Sequence, residues 1–216
     1  MNLNEAKRVL RNYGYFLKED ARRNNTDISD IFSLIDVHDW SPKWVTEQIM
    51  KHYYEPITVD YIDETNYKDY IGKYVNVKEY VDLSVLNLQK LPIRFGTVGD
   101  FFNCDYNKLT SLEGAPKEVG GYFNCVDNKL TSLEGAPKVV GGNFECRLNY
   151  LTTLKGIPKE IGGNFDCSKN KLTSLDGAPK VVGGDFYCAD NEVEFTEDDV
   201  LKVSNVKGRI AVEPIE

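Results

Sequence analysis

The sequence predicts an α+β chain in which a small helical N-terminal domain caps a short repeat solenoid with one parallel β-sheet. Three observations lead there. NKLTSLEGAPK at 107–117 returns unchanged at 128–138, and looser copies follow, NYLTTLKGIPK at 149–159 and NKLTSLDGAPK at 170–180. The five cysteines, Cys104, Cys125, Cys146, Cys167 and Cys188, recur at the same constant interval as these copies. The segment before the repeats, positions 1–75, carries none and shows helical patterning instead. A closed core gives every segment its own shape to fill, so a fixed short period means that neighbouring copies stack.

In register, the copies share the frame F-x-C-x-x-N-x-L-x-x-L-x-G-x-P-x-x-V. Phe102 and Cys104 flank Asn103, which predicts a short strand with two side chains in and one out. The same triplet recurs at Phe123/Cys125, Phe144/Cys146, Phe165/Cys167 and Phe186/Cys188. Stacked phenylalanines are expected to form the spine of the core, with Leu109, Leu112 and their equivalents opposite. Asn107, Asn128, Asn149, Asn170 and Asn191 form a second ladder, whose amides suit backbone groups where the chain leaves the strand. Gly114-Ala115-Pro116 reads as a turn with an extended return path, and Gly120-Gly121 as a tight corner before the next strand.

The frame resembles the leucine-rich repeat pattern L-x-L-x-x-N-x-L, with Phe and Cys where leucine is usual, over about residues 77–195. Run backward, it places Val81, Leu83, Leu86, Leu88 and Leu91 on a degenerate first rung. Six rungs are therefore expected, beginning at Val81, Phe102, Phe123, Phe144, Phe165 and Phe186. Thr196 should cap a helix opened by Glu197-Asp198-Asp199, and that helix with the GRIAVE stretch should close the C-terminal end. The expected domains are 1–75, a helical cap; 76–195, the solenoid; and 196–216, a C-terminal cap helix and tail.

Within the first domain, Ala6, Val9, Leu10, Tyr13 and Phe16 fall on one helical face. Ser41-Pro42 opens a second predicted helix, and a shorter one is expected around Asp30–Ile35. ITVDYI and KYVNV read as strands leading into the solenoid. Nine of the thirteen tyrosines and both tryptophans lie before Val81, a composition that suits either a core cap or a contact surface.

Charge narrows the function classes. The net charge is −8, and the segments 1–75, 76–192 and 193–216 are each acidic on balance. A basic footprint for nucleic acid is missing. No stretch approaches the length of a membrane span, and the opening lacks a signal-peptide core, so a cytoplasmic location is expected. The cysteines show no CxxC pair, and their odd number argues against a disulfide framework. They read as small buried hydrophobes. No phosphate loop, nucleophile elbow or zinc spacing occurs, so no enzyme, metal or cofactor is expected.

What is left is a surface. The frame fixes the inward positions, and the outward ones change between copies. The expected function is non-enzymatic protein binding through the strand face. Its candidate contact residues are Tyr106, Tyr122, Asp127, Glu145, Arg147, Leu148, Asp166, Lys169, Tyr187 and Asp190. The repeat wording behind MNLNEAKRVLRNYGYFLKED also resembles uncharacterised leucine-rich repeat proteins of large tailed bacteriophages. That resemblance implies an accessory protein of the infected bacterial cytoplasm, with a host protein, such as a defence factor, as partner. The alternatives are a structural, virion-associated role and an acidic mimic of nucleic acid.

Overall fold

The computed structural model describes residues 56–213. The expected helices around Ala6–Phe16, Asp30–Ile35 and Ser41-Pro42, and the tryptophans Trp40 and Trp44, lie outside the described residues. The chain divides into two compact units, Met1–Ile57 with Gly72–Tyr74, and Thr58–Ile71 with Val75–Glu216. The second unit is a parallel β-solenoid of about seven turns.

One sheet is the expected one. Its strands are Val81–Asp82, Phe102–Asn103, Phe123–Asn124, Phe144–Glu145, Phe165–Asp166, Phe186–Tyr187 and Ile210–Ala211. They pair in parallel, Phe102 with Phe123, Phe123 with Phe144, Phe144 with Phe165, and Phe165 with Phe186. The five phenylalanines are fully buried, as are Cys104, Cys125, Cys146 and Cys167. Ring centroids of successive phenylalanines lie 4.9–6.1 Å apart. Each buried ring contributes roughly 2–3 kcal/mol, and each ring pair adds about 1 kcal/mol.

The single sheet of the sequence reading becomes two. The return path after each Pro-Lys is itself a strand: Glu118–Val119, Val139–Val140, Glu160–Ile161 and Val181–Val182. These belong to an eight-stranded sheet that begins at Ile57–Val59 and Tyr74–Val77 and passes through Arg94–Val98. The pairing is again parallel and one turn apart, Val119 with Val140 and Val140 with Ile161. One residue of each short strand points in, so Val119, Val140, Ile161 and Val182 close the core opposite the phenylalanines. Leu109, Leu112 and their equivalents fill the space between. Gly114, Gly135, Gly156 and Gly177 take φ of 90–102°, the left-handed turn that re-aims the chain toward this second sheet.

Both ends also differ from expectation. The C-terminal stretch builds a seventh turn, with Asn205–Val206 in the valine sheet and Ile210–Ala211 in the phenylalanine sheet. Thr196 caps the helix Glu197–Val203 as expected: its side chain accepts from Asp199 N–H, and the Asp199 carboxylate accepts from Thr196 N–H. It is the only α-helix among the described residues, and Val200 is buried beneath it. At the other end Val81 does not open the stack, because Ile62 bridges it in parallel. The predicted strands ITVDYI and KYVNV are present as Ile57–Val59 and Tyr74–Val77.

The asparagine ladder locks one turn to the next. Asn149 Nδ2 donates to the carbonyls of Cys125 (2.9 Å), Cys146 (3.2 Å) and Arg147 (3.3 Å), and its Oδ1 accepts from Leu130 N–H (3.0 Å). Asn107, Asn128 and Asn170 repeat the pattern. Asn149→Ala strands at least two buried backbone groups, so about 3 kcal/mol of stability is expected to be lost in a urea titration. Thr152→Ala, at an exposed site just past the core leucine, should change it by less than about 0.5 kcal/mol.

Candidate interaction face

The outer face of the phenylalanine sheet is built from three short columns per turn. The residue before each Phe, the residue after it and the residue after each Cys point away from the core or lie at its margin. In the fourth turn these are Asn143, Glu145 and Arg147. The next residue then enters the left-handed region in six successive turns: Val85 (φ 58°), Tyr106 (50°), Asp127 (49°), Leu148 (58°), Lys169 (53°) and Asp190 (55°). From Tyr106 onward the asparagine that follows braces the bend, although Val85 takes it with Leu86 behind it. The asparagine amide collects the carbonyls of the two residues after the strand, which holds the sharp turn.

Six of the ten candidate residues converge. Glu145, Arg147, Asp166, Lys169, Tyr187 and Asp190 line a shallow cavity of about 330 Å³, together with Asn164, Ser168, Ala189, Ala211 and Glu213. Arg147 Nε lies 3.6 Å from Asp166 Oδ2. Asp166 Oδ1 accepts from Ser168 N–H (2.9 Å) and from its hydroxyl (2.6 Å), so the carboxylate is held in place. At the rim, Tyr187 donates its hydroxyl to Asp185 Oδ2 at 2.8 Å, and that bond is the main reason the phenol titrates above its ordinary range. Asp185 is held below the usual carboxylate range by the Arg209 backbone N–H and by Tyr187.

The other four candidates lie elsewhere. Tyr106, Asp127 and Leu148 stand in the left-handed column outside the cavity, and Tyr106 is 53% and Leu148 37% exposed. Tyr122 stacks on Phe101 at 4.8 Å in a separate ladder of rings. Val126 and Ala189, which follow Cys125 and Cys188 at outward positions of the frame, are nevertheless buried. Ala211 and Glu213 escaped the sequence reading because the last turn lacks the Phe-x-Cys frame that would have aligned them.

The cysteines carry no reactive chemistry at this face. All five are buried and free. The Cys104 thiol donates to Asn124 O, Cys125 to Glu145 O and Cys146 to Asp166 O, each at 3.3–3.4 Å. Burial pushes Cys188 up to about 12 and the other four well above the thiol range. Among the described residues no group of three or more His, Cys, Asp or Glu gathers to hold a metal ion. No helix among them is long and apolar enough to cross a membrane.

Comparison of the chain with protein-family models, with curated proteins and with solved structures gives no match. The assignment to a repeat solenoid rests on the constant period of the frame and the pairing of strands one turn apart.

Proposed function

We propose that the protein is a non-enzymatic binding module that engages a protein partner through the outer face of its phenylalanine sheet. One observation carries the reading. Tyr106 and Leu148 occupy left-handed backbone positions with exposed side chains. That conformation costs an ordinary L-residue roughly 1–2 kcal/mol, and Gly, Asn and Asp less. The core gains little from either side chain, so stability alone favours a different residue. Strain retained at an exposed site is what a contact residue leaves in a free structure. The adjacent cavity adds Arg147 and Tyr187, residue types that anchor interfaces.

The partner class is a protein of the bacterial cytoplasm, and a host defence factor is the specific expectation. That part rests on the repeat wording and its resemblance to phage accessory proteins.

The test is affinity capture from bacterial lysate, with wild type beside Arg147→Glu/Lys169→Glu. Both side chains lie outside the core, so the variant should fold, with loss of the Arg147–Asp166 pair lowering its melting point by only a few degrees. One protein retained by the wild type and lost by the folded variant is the expected result. Equal capture by both would remove the strand face as the site. Recovery of the protein only with assembled particles would favour the structural role instead.

A further inference from the structure

The geometry points to a second binding strip on the N-terminal half of the same sheet, suited to an elongated, planar, cationic aromatic molecule. Four aromatic side chains from successive turns stack in one column on the outside of the sheet. Tyr61 and Tyr80 lie 5.5 Å apart at 17°, Tyr80 and Phe101 5.0 Å at 15°, and Phe101 and Tyr122 4.8 Å at 2°. These are the steps of the solenoid itself, so the rings form a straight rail along its axis. Each ring covers its neighbour's face, and what the rail offers to solvent is a continuous row of ring edges. Tyr61 is 42% and Tyr122 36% exposed. The rail ends after Tyr122, where the column becomes Asn143, Asn164 and Asp185.

Two positions further along each strand stands a polar column, Asp82, Asn103 and Asn124, on the same side of the sheet. Side chains two apart on a strand leave a trough about 7 Å wide between their columns. The trough runs along the axis with the aromatic rail as one wall. The opposite wall is tied by side-chain hydrogen bonds, Asn103 Nδ2 to Asp82 Oδ1 and Asn124 Nδ2 to Asp105 Oδ2. A straight trough crossing four turns admits a long, flat molecule lying along it, and excludes a globular one.

Charge selects the sign. Carboxylates surround the rail: Asp63, Glu79 and Asp82 bear on Tyr80, and Asp82, Asp100, Asp105 and Glu145 on Tyr122. The nearby Lys78 is paired with Asp60 at 2.8 Å. Burial together with these acids holds both phenols above their ordinary range, so the strip stays uncharged on its aromatic side and negative around it. A cation with an extended aromatic surface satisfies both walls, and an anion of the same shape is repelled.

The probe is thioflavin T, a cationic benzothiazole dye, titrated into the full-length protein with Congo red as an anionic counterpart. Size-exclusion chromatography confirms that no aggregate is present. The expected result is a saturable fluorescence rise that weakens when salt is raised from about 0.02 M to about 0.5 M. Tyr122→Ser shortens the rail at an exposed ring, and Glu79→Lys reverses one exposed flanking charge. Each should weaken binding by about tenfold; Glu79→Lys should leave the melting curve in place, and Tyr122→Ser should lower it by only the few degrees that one ring pair is worth. No binding by wild type, equal binding by both folded variants, or preference for Congo red would overturn the assignment. Protein capture through the Arg147 cavity does not enter this measurement.

Discussion

Above pH 9 the protein is expected to lose stability at a rate that a domain without buried thiols would not show. An unfolded cysteine titrates near its ordinary value of 9.0, whereas in the fold burial holds Cys188 up to about 12 and the other four well above the ordinary value. The folded state therefore keeps its thiol protons after the unfolded state has released them. Stability is full below pH 9 and falls as pH rises toward the folded values. Each thiol contributes about 1.4 kcal/mol per pH unit, so five give roughly 7 kcal/mol per unit. A domain of ordinary stability is exhausted near pH 10.5 at that slope. Urea titrations at half-unit pH steps measure it. Cys125→Ala should lower the slope by about a fifth, and the lost packing should lower baseline stability as well. A flat profile to pH 11 would mean that the cysteines are not buried as described.

Gly141→Ala is expected to be highly damaging, although it adds only one methyl group. The first glycine of each Gly-Gly corner, from Gly120 to Gly183, sits directly over the corner glycine one turn earlier. A Cβ at Gly141 would run into the carbonyl oxygen of Gly120 and lie 3.1 Å from its carbonyl carbon. The obstacle is backbone, which cannot step aside without parting the turns. Gly141 N–H also donates to Val119 O at 3.0 Å, a bond that such parting would break. More than about 4 kcal/mol should be lost, and the protein should be recovered largely insoluble. A substitution that leaves the corner alone, such as Thr152→Val at an exposed site, should be tolerated.

Stacked repeats force each inward position to meet its own copy. Phe, Cys, Leu and Asn therefore recur at fixed spacing, and the phenylalanine sheet, the leucine columns and the asparagine ladder were all legible in the sequence. The Thr196 cap was legible because three acidic residues follow it. The valine sheet was not. Its repeat strands are dipeptides, too short for alternation to show, and they exist only through pairing with the neighbouring turn. The seventh turn was hidden by spacing: Ile210 pairs with Phe186 across more than one period of chain, because the helix Glu197–Val203 lengthens that turn. The start of the aromatic rail was hidden in the opposite sense, as Tyr61 stands closer to Tyr80 in sequence than one period. Of the candidate face, the outward positions followed from the frame. Their division between a cavity around Arg147 and a ring ladder at Tyr122 depends on side-chain contacts between turns. The left-handed column left no trace, because no glycine marks it and the bend falls on Val, Tyr, Asp, Leu and Lys alike.

That column offers the most direct test of the binding face. Replacing Leu148 and Tyr106 together with Asn removes two bulky side chains from left-handed backbone and substitutes a residue that accepts it. The double variant should be more stable than wild type by about 1–2 kcal/mol and should lose the captured partner. Higher stability with partner capture unchanged would show that these side chains serve no contact, and would contradict the assignment of this face to binding.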